Sequence, residues 1–385
     1  MSEYQYYEFR AVDRPLTQKQ MDELRACSSR AEITPTSFVN VYNWGDFKGN
    51  PDSWMERYFD AFLHTANWGS RWLMLRIPKK LLDPETVSSC CIGENLSHRT
   101  TGDHLILSFN AAEVDDDWYE GESWLSSLIL LRSDLMQGDH RCLYLGWLLA
   151  IQNRELDDDA LEPPVPPGLG QLNGQLQSLA DFLDIDVDLV AAAAESSTAQ
   201  PASGLSNEDV SKWVAVLPEK DKDALLTRLI EGGDPHVATE LRQRAIREIR
   251  DGRNSGAGSR RGDRRSVAQL LARAGSIAEE RQKREAEKRE REKAKRERAQ
   301  AEERKRRLDS LVGKESHLWT EVDKCVATKQ PKRYDEAVSL LQDLHDLADR
   351  KGEEAEFSQR MSAFGLEHAR KTSLVARCRK ANLLA

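Results

Sequence analysis

From residue 276 to residue 309 the chain is almost purely charged, and this run constrains the architecture more than any other feature. Glu279/Lys283, Glu280/Arg284, Glu285/Arg289, Glu287/Arg291, Glu292/Arg296, Glu302/Arg306 and Glu303/Arg307 are all acid-then-base pairs four residues apart. Such residues are neighbours on a helix, and each pair contributes roughly 0.2–0.5 kcal/mol. The non-polar residues between 277 and 307 are essentially alanines, so the apolar heptad seam of a coiled coil is missing. A lone helix of about 55 Å, at about 1.5 Å per residue, is therefore predicted over 276–312 as a spacer.

Charge is distributed to match. Residues 1–165 hold 27 acids against 15 bases, a balance of −12, and residues 166–253 hold a further −6. Residues 254–310 reverse the sign at +8, so an acidic body carries a basic arm although the whole chain stands at −9. A chain of 385 residues with 39% hydrophobic content can build two or three domains and at least one sizeable core. The six cysteines, Cys27, Cys90, Cys91, Cys142, Cys325 and Cys378, form no CxxC pair, and reduced thiols in a cytoplasmic protein are expected. The first residues lack the basic and apolar regions of a signal peptide. The most apolar stretch, 124–151, is interrupted by Arg132, Asp134, Asp139, His140 and Arg141. Its two runs are shorter than the roughly 20 residues of a membrane span, so no membrane contact is expected.

Apolar periodicity orders the rest. Tyr7, Phe9 and Ala11 alternate with Glu8 and Arg10, as in a half-buried strand. Thr17 is placed to cap a helix running to about residue 28, and 37–42 reads as the next strand. Trp54, Tyr58, Phe59, Phe62 and Leu63 supply the stripe of a second helix, followed by a strand at 72–77. Strands are expected near 87–92 and 104–109, then a helical pair joined at Gly138. Seven of the nine tryptophans lie in this region, which places the largest core there.

The fold class is thus an α+β N-terminal domain over 1–160, then a mostly α-helical region with a long charged single helix and a C-terminal helical hairpin module. Pro163, Pro164, Pro166 and Pro167 open a linker with a short helical segment over 161–206. A helical segment over 207–252 follows, then a basic flexible linker over 253–275, the charged helix over 276–312, and the helical module over 313–385.

The opening YQYYEFRA, with DRPLT at 13–17 and PTSFV at 35–39, resembles an uncharacterised family of bacterial proteins that share this N-terminal domain. The resemblance covers about 150 residues and implies no activity. The tail, Tyr334-Asp335-Glu336-Ala337 through His368-Ala369-Arg370-Lys371, is similar to the helical module that ends some bacterial SWIM zinc-finger proteins. The CxC…CxH array of that family is absent, so zinc is not carried over; the resemblance implies a protein-contact module in a bacterial setting.

No catalytic, cofactor-binding or metal-ligating residue is assigned. His98 and His104 lie near Cys90 and Cys91 and flank a turn at 101–103, but adjacent cysteines on a strand would point to opposite faces. Cys142 with His140 is a weaker pairing still. Asp115–Asp117 and Asp157–Asp159 lack the EF-hand spacing and read as solvated loop acids. Trp44 and Phe47, in a glycine-flanked loop, suit a partner groove or a turn folded back on the core, the second being preferred. Arg260, Arg261, Arg264 and Arg265, and then Arg304, Lys305, Arg306 and Arg307, are the residues suited to phosphate contact.

The leading expectation is a non-enzymatic protein-interaction or scaffold subunit of a bacterial cytoplasmic complex, whose main partner is another protein. The alternative is an accessory nucleic-acid-binding subunit that uses the basic arm. Nothing in the sequence specifies a small-molecule ligand.

Overall fold

The computed structural model describes residues 4–45, 47–112, 114, 121–200, 205–254 and 264–384, the side chains of 250–254 excepted. The chain divides into two compact units, Met1–Arg281 and Gln282–Ala385.

The first unit is built on seven strands: β1 (Gln5–Arg10), β2 (Glu32–Thr34), β3 (Ser37–Tyr42), β4 (Ala61–Ala66), β5 (Arg71–Pro78), β6 (Leu96–Thr101) and β7 (His104–Ala111). They form one antiparallel sheet in the order β2-β3-β1-β4-β5-β7-β6. Successive side chains alternate between faces, and here both faces are covered. Phe9, Phe62, Met74 and Ile106 join Leu24, Trp54 and Met55 of helices α1 (Gln18–Cys27) and α2 (Pro51–Arg57). Tyr6, Leu63, Leu73, Leu75, Leu107 and Phe109 face a second core. The strand at Tyr7 is therefore central and buried on both sides rather than half-exposed. Glu8 is buried there because Tyr6 Oη donates to it at 2.9 Å and Arg10 Nε at 2.7 Å.

Two expected elements change type. Phe62 and Leu63 belong to β4: α2 stops at Arg57, and a short apolar run fits helix and strand periodicity equally. Residues 87–90, expected as strand, lie in helix α3 (Pro84–Cys90), whose signal is Asp83 accepting from the Thr86 N–H with Pro84 in the first turn. Thr17 does cap α1, in a reciprocal box with Gln20.

The second core of this unit takes in α4 (Trp124–Leu128), α5 (Leu130–Met136), α6 (Arg141–Gln152), α7 (Gly174–Phe182) and α8 (Val187–Ala194). Gly146 lets α6 lie directly on the sheet, since a Cβ there would stand 2.8 Å from Leu96 Cδ2 and 3.2 Å from Phe109 Cε1. The same cluster continues past the proline run, through Leu176, Leu179 and Phe182, to Val267, Leu270 and Ala274. Burial of those three explains why the long helix, α12 (Val267–Leu311), begins before the charged run. Between α8 and α12 lie α9 (Asn207–Val216), α10 (Glu219–Glu231) and α11 (Val237–Asn254).

In the second unit every α12 side chain from 282 to 303 is exposed, and Leu308 enters an apolar core. That core is completed by α13 (Glu315–Ala327), α14 (Pro331–Lys351), α15 (Glu354–Glu367) and α16 (Thr372–Lys380). Gly352 ends α14 at φ 73°, a left-handed position that glycine adopts without a Cβ clash. A hairpin with one preceding helix was expected; α16 adds a further layer through Leu374 and Cys378, both fully buried. Among the described residues no helix is long and apolar enough to cross a membrane.

Burial on β4 has a pH consequence. His64 is 8% exposed, packs against Tyr7 at 4.5 Å between ring centroids, and its Nε2 has no hydrogen-bond partner among the described residues. Burial lowers its pKa from 6.5 to about 4. The unfolded chain therefore takes up this proton first, so the stability held above pH 6.5 is lost as the pH falls toward 4. Urea unfolding at pH 7, 6 and 5 is expected to show this decline, and His64→Phe to flatten it; an equal slope in the variant would remove His64 as a cause.

Candidate interaction surfaces

The basic residues singled out in the sequence are largely engaged within each unit. In the first, Arg265 Nη2 donates to Glu162 Oε1 at 2.7 Å, its Nε to Oε2 at 2.8 Å, and its Nη1 to the Ala192 carbonyl at 2.8 Å. Glu162 is 2% exposed and also accepts from the Tyr144 hydroxyl. Burial, then that hydrogen bond to Glu162, pushes the Tyr144 phenol far up and keeps it neutral. Arg264 donates to the carbonyls of Glu162 and Leu161. These two arginines thus stitch the start of α12 to the loop after α6. Arg260 and Arg261 lie outside the described residues.

In the second unit Asp343, on α14, is fully buried and takes both Arg304 and Arg307, the latter through Nε at 3.0 Å and Nη2 at 2.6 Å. Arg304 also reaches Asp346 at 2.6 Å. Arg306 pairs along the helix with Glu302 at 2.7 Å, and Lys305 is exposed. Four adjacent cations thus divide by helical position, the pair three apart facing α14 and the other two facing water.

Trp44 and Phe47 part company in the same way. A turn with both rings folded back on the core is met by Phe47 alone, which stacks on Tyr7 at 4.6 Å with Trp54 edge-on at 5.0 Å. Trp44 stays 71% exposed, with the Arg30 guanidinium 5.6 Å from its ring centroid.

The strongest electrostatic feature lies among residues that no sequence motif singles out. Asp60, 1% exposed, accepts from Arg76 Nη2 at 2.7 Å and Nε at 3.1 Å and from the backbone N–H groups of Val12 and Asp13. Arg132, on α5, donates Nε to the Arg76 carbonyl at 2.7 Å and Nη2 to Asp13. His236 closes the group, its Nε2 3.0 Å from Asp13 Oδ2. Burial would raise the Asp13 carboxyl, but hydrogen bonds from His236 and Arg132 outweigh it and hold its pKa far below the usual range. The available sequence signal was charge inside apolar runs, as at Asp60, Arg76 and Arg132.

This cluster anchors the turn between α10 and α11. Asp234 accepts from Lys80, Glu240 pairs with Lys80 at 3.2 Å, and Gln243 Nε2 donates to the carbonyls of Leu81 at 2.9 Å and Met136 at 2.6 Å. The outer helices are left largely unburied: neither α9 nor α10 contains a buried residue. Leu226, Leu229 and Ile230, spaced for one helix face, are 56%, 45% and 84% exposed, and Val214 and Val216 on α9 are also exposed.

The other residues considered fall apart as sites. Cys90 ends α3 rather than a strand, and burial raises its thiol; Cys91 is pushed up to about 12 by burial and then by Cys90. His98 lies on β6 and His104 on β7. Burial lowers the His140 pKa and raises the Cys142 thiol, leaving the neutral forms of both favoured. Asp157, Asp158 and Asp159 are exposed in a loop, and Asp115, Asp116 and Asp117 lie outside the described residues. Among the described residues no group of three or more His, Cys, Asp or Glu is placed to hold a metal ion. Comparison with protein-family models, with curated proteins and with solved structures finds no match for this chain.

Proposed function

We propose that this is a non-enzymatic interaction protein, with one protein-contact module in each unit and the charged helix joining them. The observation that carries the reading is the apolar face of α10, where Leu226, Leu229 and Ile230 stand in water although the same unit holds an extensive core elsewhere. Exposing three large aliphatic side chains on one helix face forgoes roughly 25 cal/mol for each Å² of apolar surface left in water, which a partner would recover. The hydrogen bond between His236 and Asp13 supports the reading, since it holds the α10–α11 turn from one end and leaves that face outward. In the second unit Leu366 of α15, 81% exposed, is the corresponding apolar position.

The test is quantitative affinity purification of the full chain and of its Leu226→Glu/Ile230→Glu variant from the native host. A defined protein is expected with the parent chain and at least tenfold less of it with the variant, since two buried charges cost well over 1.4 kcal/mol. The same partner in equal amount with both, or none with either, overturns the proposal.

A further inference from the structure

Above the Asp13, Asp60, Arg76 and Arg132 cluster lies a cleft of about 500 Å³. Its walls come from four places: the β1–α1 loop with Arg14, the end of β5 with Lys79 and Lys80, the β6–β7 turn with Asp103 and His104, and the α10–α11 turn with Asp234 and His236. The floor is electrostatically closed. Arg76 spends its guanidinium on Asp60 and on the carbonyls of Met55 and Glu56, and Arg132 on Asp13 and the Arg76 carbonyl. On the wall, Lys80 is held by Asp234 and Glu240.

The rim is not closed in this way. Among the described residues neither Arg14 nor Lys79 enters an ion pair, and Asp103 is the rim carboxylate that stands against them. The excess is therefore one positive charge before either imidazole is counted. His104 is half-buried at the same mouth, where burial and then the Arg76 cation lower its pKa; an entering anion would reverse that and favour the doubly donating form. A concave site with two uncommitted cations, an imidazole and a rigid, satisfied floor is chemically matched to a small anion.

We propose that this cleft binds a small-molecule anion through a phosphate or carboxylate group, with Lys79, Arg14 and His104 as the donors. This goes beyond the interaction reading and does not depend on it. Asp13, Asp60, Arg76 and Arg132 act here as positioning residues, because their hydrogen bonds fix the β1–α1 loop and the end of β5 from which Arg14 and Lys79 project.

The experiment is calorimetric titration of the full chain with inorganic phosphate, and separately with citrate, each against sodium chloride at equal ionic strength so that general screening is subtracted. Saturable binding of at least one anion beyond the chloride control is expected, with phosphate preferred if the natural group is phosphoryl and citrate if it is a carboxylate. Lys79→Gln should weaken that binding about tenfold, as expected for loss of one charge-assisted hydrogen bond. His104→Gln should weaken it and shift its pH dependence. Arg14→Gln, at an exposed position, provides the same test should either of the other variants fold poorly. No binding beyond chloride, or binding unchanged in the Lys79 and Arg14 variants, overturns the proposal.

Discussion

Asp60→Ala is expected to destabilise the first unit by about 3 to 5 kcal/mol, as is typical when one partner of a buried ion pair is removed. The carboxylate is 1% exposed and satisfies four donors, two on Arg76 and the N–H groups of Val12 and Asp13. Its loss leaves the Arg76 guanidinium buried with only the carbonyls of Met55 and Glu56, and two N–H groups without an acceptor. Arg76→Met in the same chain should recover part of the loss, because replacing a whole buried pair by apolar side chains is often close to neutral. Urea unfolding followed by tryptophan fluorescence is suited to the measurement, since eight of the nine tryptophans lie in this unit. A cost below about 1 kcal/mol, within the range of an exposed pair, would contradict the account.

In the second unit the asymmetry runs through Asp343. Arg304→Met with Arg307→Met is expected to cost about 3 to 5 kcal/mol, because it strands a carboxylate that is fully buried. Asp343→Leu should cost much less. The two guanidinium groups it frees have side chains 37% and 51% exposed and can turn to water, so no charge is left buried without a partner. Amide exchange of α13–α16 and thermal unfolding would rank the variants. A larger loss for Asp343→Leu than for the double arginine variant would overturn this order.

The helical parts were legible because their signals are local. Acid–base pairs four apart announced α12, Thr17 announced α1, and Gly352 marked the end of α14. The errors share one cause. Phe62 and Leu63 fitted a helical stripe, and 87–90 a strand, because short apolar runs suit both periods until a neighbour decides between them. Strand β6, with its polar sequence, is held by its register with β7, Thr101 opposite His104 and Leu96 opposite Phe109. Of the residues suited to partner contact, Trp44, Lys305 and Arg306 remain outward, whereas Phe47, Arg265, Arg304 and Arg307 are drawn into structure by acceptors or rings far away in sequence.

By itself the sequence determined the division between an α+β body and a helical remainder, and the presence of a lone charged helix. Periodicity and pairing within a few residues suffice for both. Tertiary structure alone decided that the sheet is covered on both faces, where α12 begins, and which cations are spent. Those outcomes depend on pairings such as Asp60 with Arg76, Glu162 with Arg265 and Asp343 with Arg304, whose members lie 16, 103 and 39 residues apart. No local pattern encodes such distances, because only the folded chain brings those groups within hydrogen-bond reach and removes the water that would otherwise compete for them.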